Sequence, residues 1–146
     1  MMQQAVSSRT PAHLWVVGIL SLLWNCFGAY DYLMTRTHNM AYLSRSGDPN
    51  AVLAWVASMP LYAQIGWGLG VWGGLLGAVL LLMRSRYALW SFLVSLIGTA
   101  LSFGGQALTG PMPNGSGMKA MMVFILLLGI GQAWYAWRES EAGHLK

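Results

Sequence analysis

Apolar positions fall into four long blocks, residues 14–34, 61–83, 87–107 and 118–137. About 20 apolar residues in helical conformation cross the hydrocarbon core of a bilayer, and each block reaches that length. The breaks between blocks are chemically distinct. Arg84-Ser85-Arg86 makes a tight charged turn, and Gly110-Pro111-Met112-Pro113-Asn114-Gly115-Ser116-Gly117 cannot continue a helix. The longest connection covers residues 35–60. Within it, Asp48-Pro49 reads as a helix N-cap followed by a first-turn proline. Residues 51–57 are apolar but too few to span, and Pro60 follows. The pattern predicts an all-α membrane protein: an antiparallel bundle of four transmembrane helices, with a short interfacial helix between the first two.

A finer pattern lies inside each block. The first carries Gly18, Ser21, Asn25, Gly28, Tyr32 and Thr35 at alternating steps of three and four, one seam along one helix face. The second carries Gly66, Gly70, Gly73 and Gly77, with Gly74 beside them and GxxxG pairs at 66/70, 70/74 and 73/77. The third carries Ser91, Ser95, Gly98, Ser102 and Gly105, with Thr99 and Gln106 adjacent. The fourth is weaker, with Ile125, Gly129, Gln132 and Ala136. Lipid tails are as apolar as leucine, so helices in membranes associate by close backbone approach and by hydrogen bonds across the gap. Helix packing is therefore expected at Gly66, Gly70, Gly73, Gly74, Gly77 and Gly98. The alternative for the glycine-rich second helix is a further role, packing on a second copy or on another membrane protein.

Composition agrees with immersion in lipid. The 146 residues are 56% hydrophobic and 8% charged, against about 25% charged in an average soluble domain. One membrane domain, residues 1–146, is the natural count. The net charge of +4 is spread without a basic run, which argues against nucleic-acid binding and refers the charge to membrane topology. With four spans both ends share a side with the 84–86 turn. That side holds Arg9, Arg84, Arg86, Arg138 and Lys146, and the other holds Arg36, Arg45 and Lys119. The excess predicts cytoplasmic termini. Trp15, Tyr87, Trp90, Trp134 and Trp137 would form the inner aromatic belt, and Tyr30, Tyr32 and Tyr62 the outer one. Arg9 precedes an apolar stretch, but no small-x-small cleavage site follows, so a retained anchor is expected.

Candidate chemistry is sparse. Cys26 is the single cysteine, which excludes a disulfide within the chain. His13, His38 and His144 lie outside the spans or at their edges, and no HExxH, GxSxG or P-loop pattern occurs. Seven methionines fall on the predicted outer side, Met34, Met40, Met59, Met112, Met118, Met121 and Met122. Only the last three share helical spacing, which is a weak copper signal. No metal, no cofactor and no enzymatic reaction is expected.

Two polar residues in the first span stand out. Asn25 lies about 16 Å into it, near the bilayer middle, where a carboxamide must find a partner helix or a ligand. Asp31 is the only acid in any of the four blocks. An ionisable group at mid-bilayer costs about 2.5–3.5 kcal/mol on insertion scales, and less near the interface. At the same outer level the topology places Tyr32, Tyr62, Gln64, Ser102, Gln106 and Lys119. With Asn25 and Asp31 these make a candidate polar cup for a solute or a proton. An Asp31–Lys119 pair is predicted, with Arg36 as the competing base. The other reading of Asp31 is a carboxylate at the interface that pairs a base or caps the connection after it.

The run Leu23-Trp24-Asn25, Gly28-Ala29-Tyr30-Asp31-Tyr32 and Met34-Thr35, then Asn39 and Ala41-Tyr42-Leu43, resembles a family of small bacterial four-span membrane proteins often labelled "sugar transporter". So does Trp67-Gly68-Leu69-Gly70-Val71-Trp72-Gly73, followed by Leu80-Leu81-Leu82 and Arg84-Ser85-Arg86. The resemblance covers residues 14–107. It implies a bacterial inner-membrane location and a four-helix fold, and it brings no catalytic or binding residues with it. Two functions are therefore expected to compete. One is binding or transport of a small solute at the cup around Asp31, in which a dimer would supply the path. The other is a non-transporting accessory subunit or scaffold.

Overall fold

The computed structural model describes residues 9–113, 115 and 117–146; of the sequence features above, Asn114 and Ser116 in the second loop and residues 1–8 lie outside them. The described chain is helical and contains no strand. Four helices are long and apolar enough to cross a membrane: α1 Ala12–Arg36, α4 Leu61–Leu82, α5 Tyr87–Thr109 and α6 Met118–Glu141. Between α1 and α4 lie α2 Met40–Leu43, a 3-10 turn and α3 Pro49–Ser58. These are the helices of a multi-pass membrane protein.

Local signals set the boundaries. Asp48 accepts a hydrogen bond from the Asn50 N–H at 3.0 Å, and Pro49 opens α3. Asn39 caps α2 in the same way, accepting from the Tyr42 N–H at 2.9 Å. At the end of α1 the Asn39 N–H reaches the Met34 carbonyl and the His38 N–H reaches Thr35, a Schellman closure with His38 at φ 55°. Helix α4 closes identically, with Arg84 at φ 59°. In this closure a non-glycine residue stands in the left-handed position that glycine usually fills, which turns the chain sharply into the next helix.

Helices α4 and α5 are the most intimate pair, and glycine is the reason. A Cβ added at Gly66 would lie 2.5 Å from the Gly98 carbonyl oxygen; one added at Gly98 would lie 2.7 Å from the Gly66 oxygen and 2.8 Å from the Gly70 nitrogen. At Gly73 the neighbour is the Ser95 backbone, and at Gly77 it is the Phe92 ring. Hydroxyls exploit the closeness: Ser91 donates to the Gly73 carbonyl at 2.7 Å and Ser95 to Gly70 at 2.5 Å. Gly74 instead receives the Asn25 carboxamide from α1. The predicted seam of α1 faces α4 as well, since Gly18 meets Leu82 and Ser21 is buried. The second helix thus spends its glycines within this chain.

Helix α6 packs on α5, whereas α1 and α6 are not a close-packed pair. Longer side chains bridge them. Trp24 and Phe124 form an edge-to-face pair 5.5 Å apart, and His13 Nδ1 lies 2.6 Å from the Tyr135 hydroxyl. Helix α3 covers one end of the bundle: its Val56, and Met59 just after it, pack with Ala63 and Trp67, while the Trp55 indole N–H donates to the Gly110 carbonyl at 3.1 Å.

At the opposite end the residues after α6 fold back onto the α4–α5 turn. The Arg86 N–H donates to the Lys146 carbonyl at 2.9 Å, and the Lys146 N–H to Arg84 at 2.7 Å. The Arg84 Nε–H reaches the His144 carbonyl at 3.2 Å. Leu145, only 2% exposed, enters a core of Leu14, Leu81, Phe92 and Ala136. Glu139 Oε2 and His144 Nδ1 lie 2.5 Å apart, in hydrogen-bond contact. This strap had no counterpart in the sequence pattern.

Candidate functional site

The loose α1–α6 contact leaves a cavity of about 370 Å³ between α1, α4, α5 and α6. Its outer level holds Asp31 of α1, Gln106 of α5 and Met121 of α6. Its deeper walls carry Asn25, Ser95, Thr99 and Gln132. Trp24, Phe27, Trp67 and Phe103 supply large aromatic surface. Ligand pockets commonly run from about 300 to 1,000 Å³, apolar with a few polar groups, and this cavity fits that description.

The predicted cup divides in two. Asp31, Asn25, Ser102 and Gln106 come together on this cavity. Tyr32 and Gln64 face another groove on the far side of α4, shared with Arg36, Trp72 and Trp90. Adjacent helical residues point about 100° apart, and here Asp31 turns to the cavity and Tyr32 to the other groove. Tyr32 still supports the cavity from behind: its ring stands edge-on to Trp67 at 4.7 Å. Tyr62 is 45% exposed and lines neither space. Lys119 is exposed and also lines neither.

The predicted Asp31–Lys119 pair does not form. Asp31 Oδ1 accepts the Tyr42 hydroxyl at 2.7 Å, because α2 folds back over the outer end of α1. Arg36, the competing base, donates to the Gln64 side-chain oxygen at 3.2 Å and lies 5.9 Å from the Tyr32 ring centre. No base stands within ion-pairing distance of Asp31 among the described residues. Burial first, and then the hydrogen bond to Asp31, push the Tyr42 hydroxyl up to about 12, so it remains a donor throughout the neutral range.

The remaining polar groups are arranged unequally. Asn25 donates to the Ser21 carbonyl at 2.7 Å, Thr99 to Ser95 at 2.8 Å, and Gln106 to the Ser102 hydroxyl at 3.0 Å. Every fully buried side-chain polar atom among the described residues has a partner. Tyr42 was legible only as part of a motif, and Gln132, Ser95 and Thr99 only as members of packing stripes; the register of those stripes already placed them on inward faces.

No family model matches this chain, and neither a curated protein nor a solved structure is found to be similar to it.

Proposed function

We propose that this chain is a polytopic protein of the bacterial inner membrane, with cytoplasmic termini, that binds a small solute beside Asp31 and carries it as a transporter. The observation that supports this reading is a carboxylate with no basic partner on the wall of a cavity of about 370 Å³. An acid kept only to pair a base at the interface would have that base beside it and no space behind it. The topology rests on the five cationic side chains at the strap end against three at the other. A single four-helix unit is small for a translocation path, so a dimer is the natural transporting form. No chemical reaction is assigned.

The alternative, an accessory subunit docking through the glycines of α4, is less favoured because those glycines already contact α1 and α5. Native mass spectrometry of the protein released from its membrane separates the two. The transport reading predicts a small-molecule adduct on the wild type whose occupancy falls at least about tenfold in Asp31→Asn, the loss that one charge-assisted contact of about 1.4 kcal/mol would give. A wild type carrying no adduct, or a variant carrying it unchanged, would contradict the reading.

A further inference from the structure

We infer that the solute is an organic ammonium ion, an amine whose protonated nitrogen meets Asp31 and whose apolar body lies among the aromatic rings. This rests on the reading of the cavity as a solute site, and it deepens that reading by naming the substrate class.

The first support is charge. Among the described residues, Asp31 is the only ionisable side chain lining the cavity, and no Lys, Arg or His lines it. An anionic solute would meet a carboxylate with no compensating base. A cation would meet its counter-charge there.

The second support is the balance of donors and acceptors. Asn25, Ser95, Thr99 and Gln106 each engage one donor inside the protein, on Ser21, Gly70, Ser95 and Ser102 respectively, and the second N–H of each carboxamide has no partner among the described residues. The Tyr42 hydroxyl is engaged on one Asp31 oxygen, which leaves the other oxygen without a protein donor. The Gln106 carboxamide oxygen is likewise without one. The outer level of the cavity thus offers open acceptors on Asp31 and Gln106. An ammonium group carries donors only, and suits the open acceptors of Asp31 and Gln106.

The third support is the aromatic surface. Trp24, Phe27, Trp67 and Phe103 line the same space from three helices. Ring faces attract cations and also cover an apolar body. Trp67 is held in place from behind by Tyr32 and Trp24 from the side by Phe124, so two of the four rings are fixed before a solute arrives.

The test uses the full chain in lipid nanodiscs, with empty nanodiscs as the blank. Calorimetric titrations compare three probes near neutral pH: 2-phenylethylammonium, its neutral analogue 2-phenylethanol, and glucose. The inference expects the ammonium probe to bind at least about tenfold tighter than the alcohol. It expects Asp31→Asn to remove that preference while leaving the melting temperature within a few degrees. The wild-type comparison of ammonium with alcohol stands even if the variant folds poorly. Equal or tighter binding of the alcohol or glucose overturns the inference and leaves the solute cavity standing. Binding of none of the three also overturns it; the solute cavity falls as well only if the protein leaves its membrane without an Asp31-dependent adduct.

Discussion

Gly98→Ala will destabilise this protein by about 1–3 kcal/mol, the usual cost of overpacking a tight contact, whereas Gly104→Ala, six residues further along the same helix, will not. The two substitutions are chemically identical. At Gly98 the new methyl would sit 2.7 Å from the Gly66 carbonyl oxygen, 2.7 Å from the Leu69 Cβ and 2.8 Å from the Gly70 nitrogen. Two of those three atoms are backbone, which cannot rotate aside, so α4 and α5 must separate. Separation also stretches the Ser91 and Ser95 hydroxyl bonds to α4. At Gly104 an added methyl meets nothing within 4 Å. There alanine should help by about 0.5–1 kcal/mol, through its lower cost of ordering a helix. Thermal melts of both variants in one detergent check this. Equal melting temperatures would mean that the glycine contact between α4 and α5 does not hold the bundle together.

The strap carries the second large effect. Leu145→Ala removes a nearly fully buried side chain from the core formed with Leu14, Leu81 and Phe92. Such truncations cost about 2–5 kcal/mol, depending on how far the site collapses. Lys146→Ala leaves that side chain and the backbone bonds to Arg84 and Arg86 in place, so it should be nearly silent. The same melts distinguish them. A Leu145→Ala protein as stable as the wild type would show the strap to be a surface ornament. If the strap holds together the ends of α4, α5 and α6 that it touches, the variant will also loosen the Glu139–His144 contact.

The membrane helices were legible because lipid imposes a length and glycine imposes a spacing. All four blocks became helices, extended by a turn or less at the ends of three, as at Arg36, Thr109 and Glu141. The Asp48-Pro49 signal marked α3 because an N-cap acts within three residues and needs no tertiary context. Asp31 was legible as a costly acid, but its partner was not. Complementary charge pointed to Lys119, whereas a hydroxyl eleven residues along the chain reached it first. That outcome depends on the turn at His38, where a non-glycine residue takes a left-handed conformation and reverses the chain. The separation of Tyr32 and Gln64 from Asp31 followed from helical geometry, yet grouping residues by depth in the membrane ignored the angle around each helix. The strap was illegible for a different reason. Residues 138–146 carry no strong period, and Leu145 gains its place only from a core that three other helices have already built.

Access of water to the cavity is the claim on which the functional reading depends, and cysteine labelling measures it directly. Cys26 is the only native cysteine and lies exposed on the outer surface of α1, where lipid would cover it. Gln132→Cys in a Cys26→Ser background puts a single thiol deep on the cavity wall instead. In intact membranes a charged, water-soluble thiol reagent should modify the Gln132→Cys thiol and leave native Cys26 unmodified. Labelling of Cys26 with none at Gln132→Cys would mean that the space between the helices is closed to water, and would contradict the account.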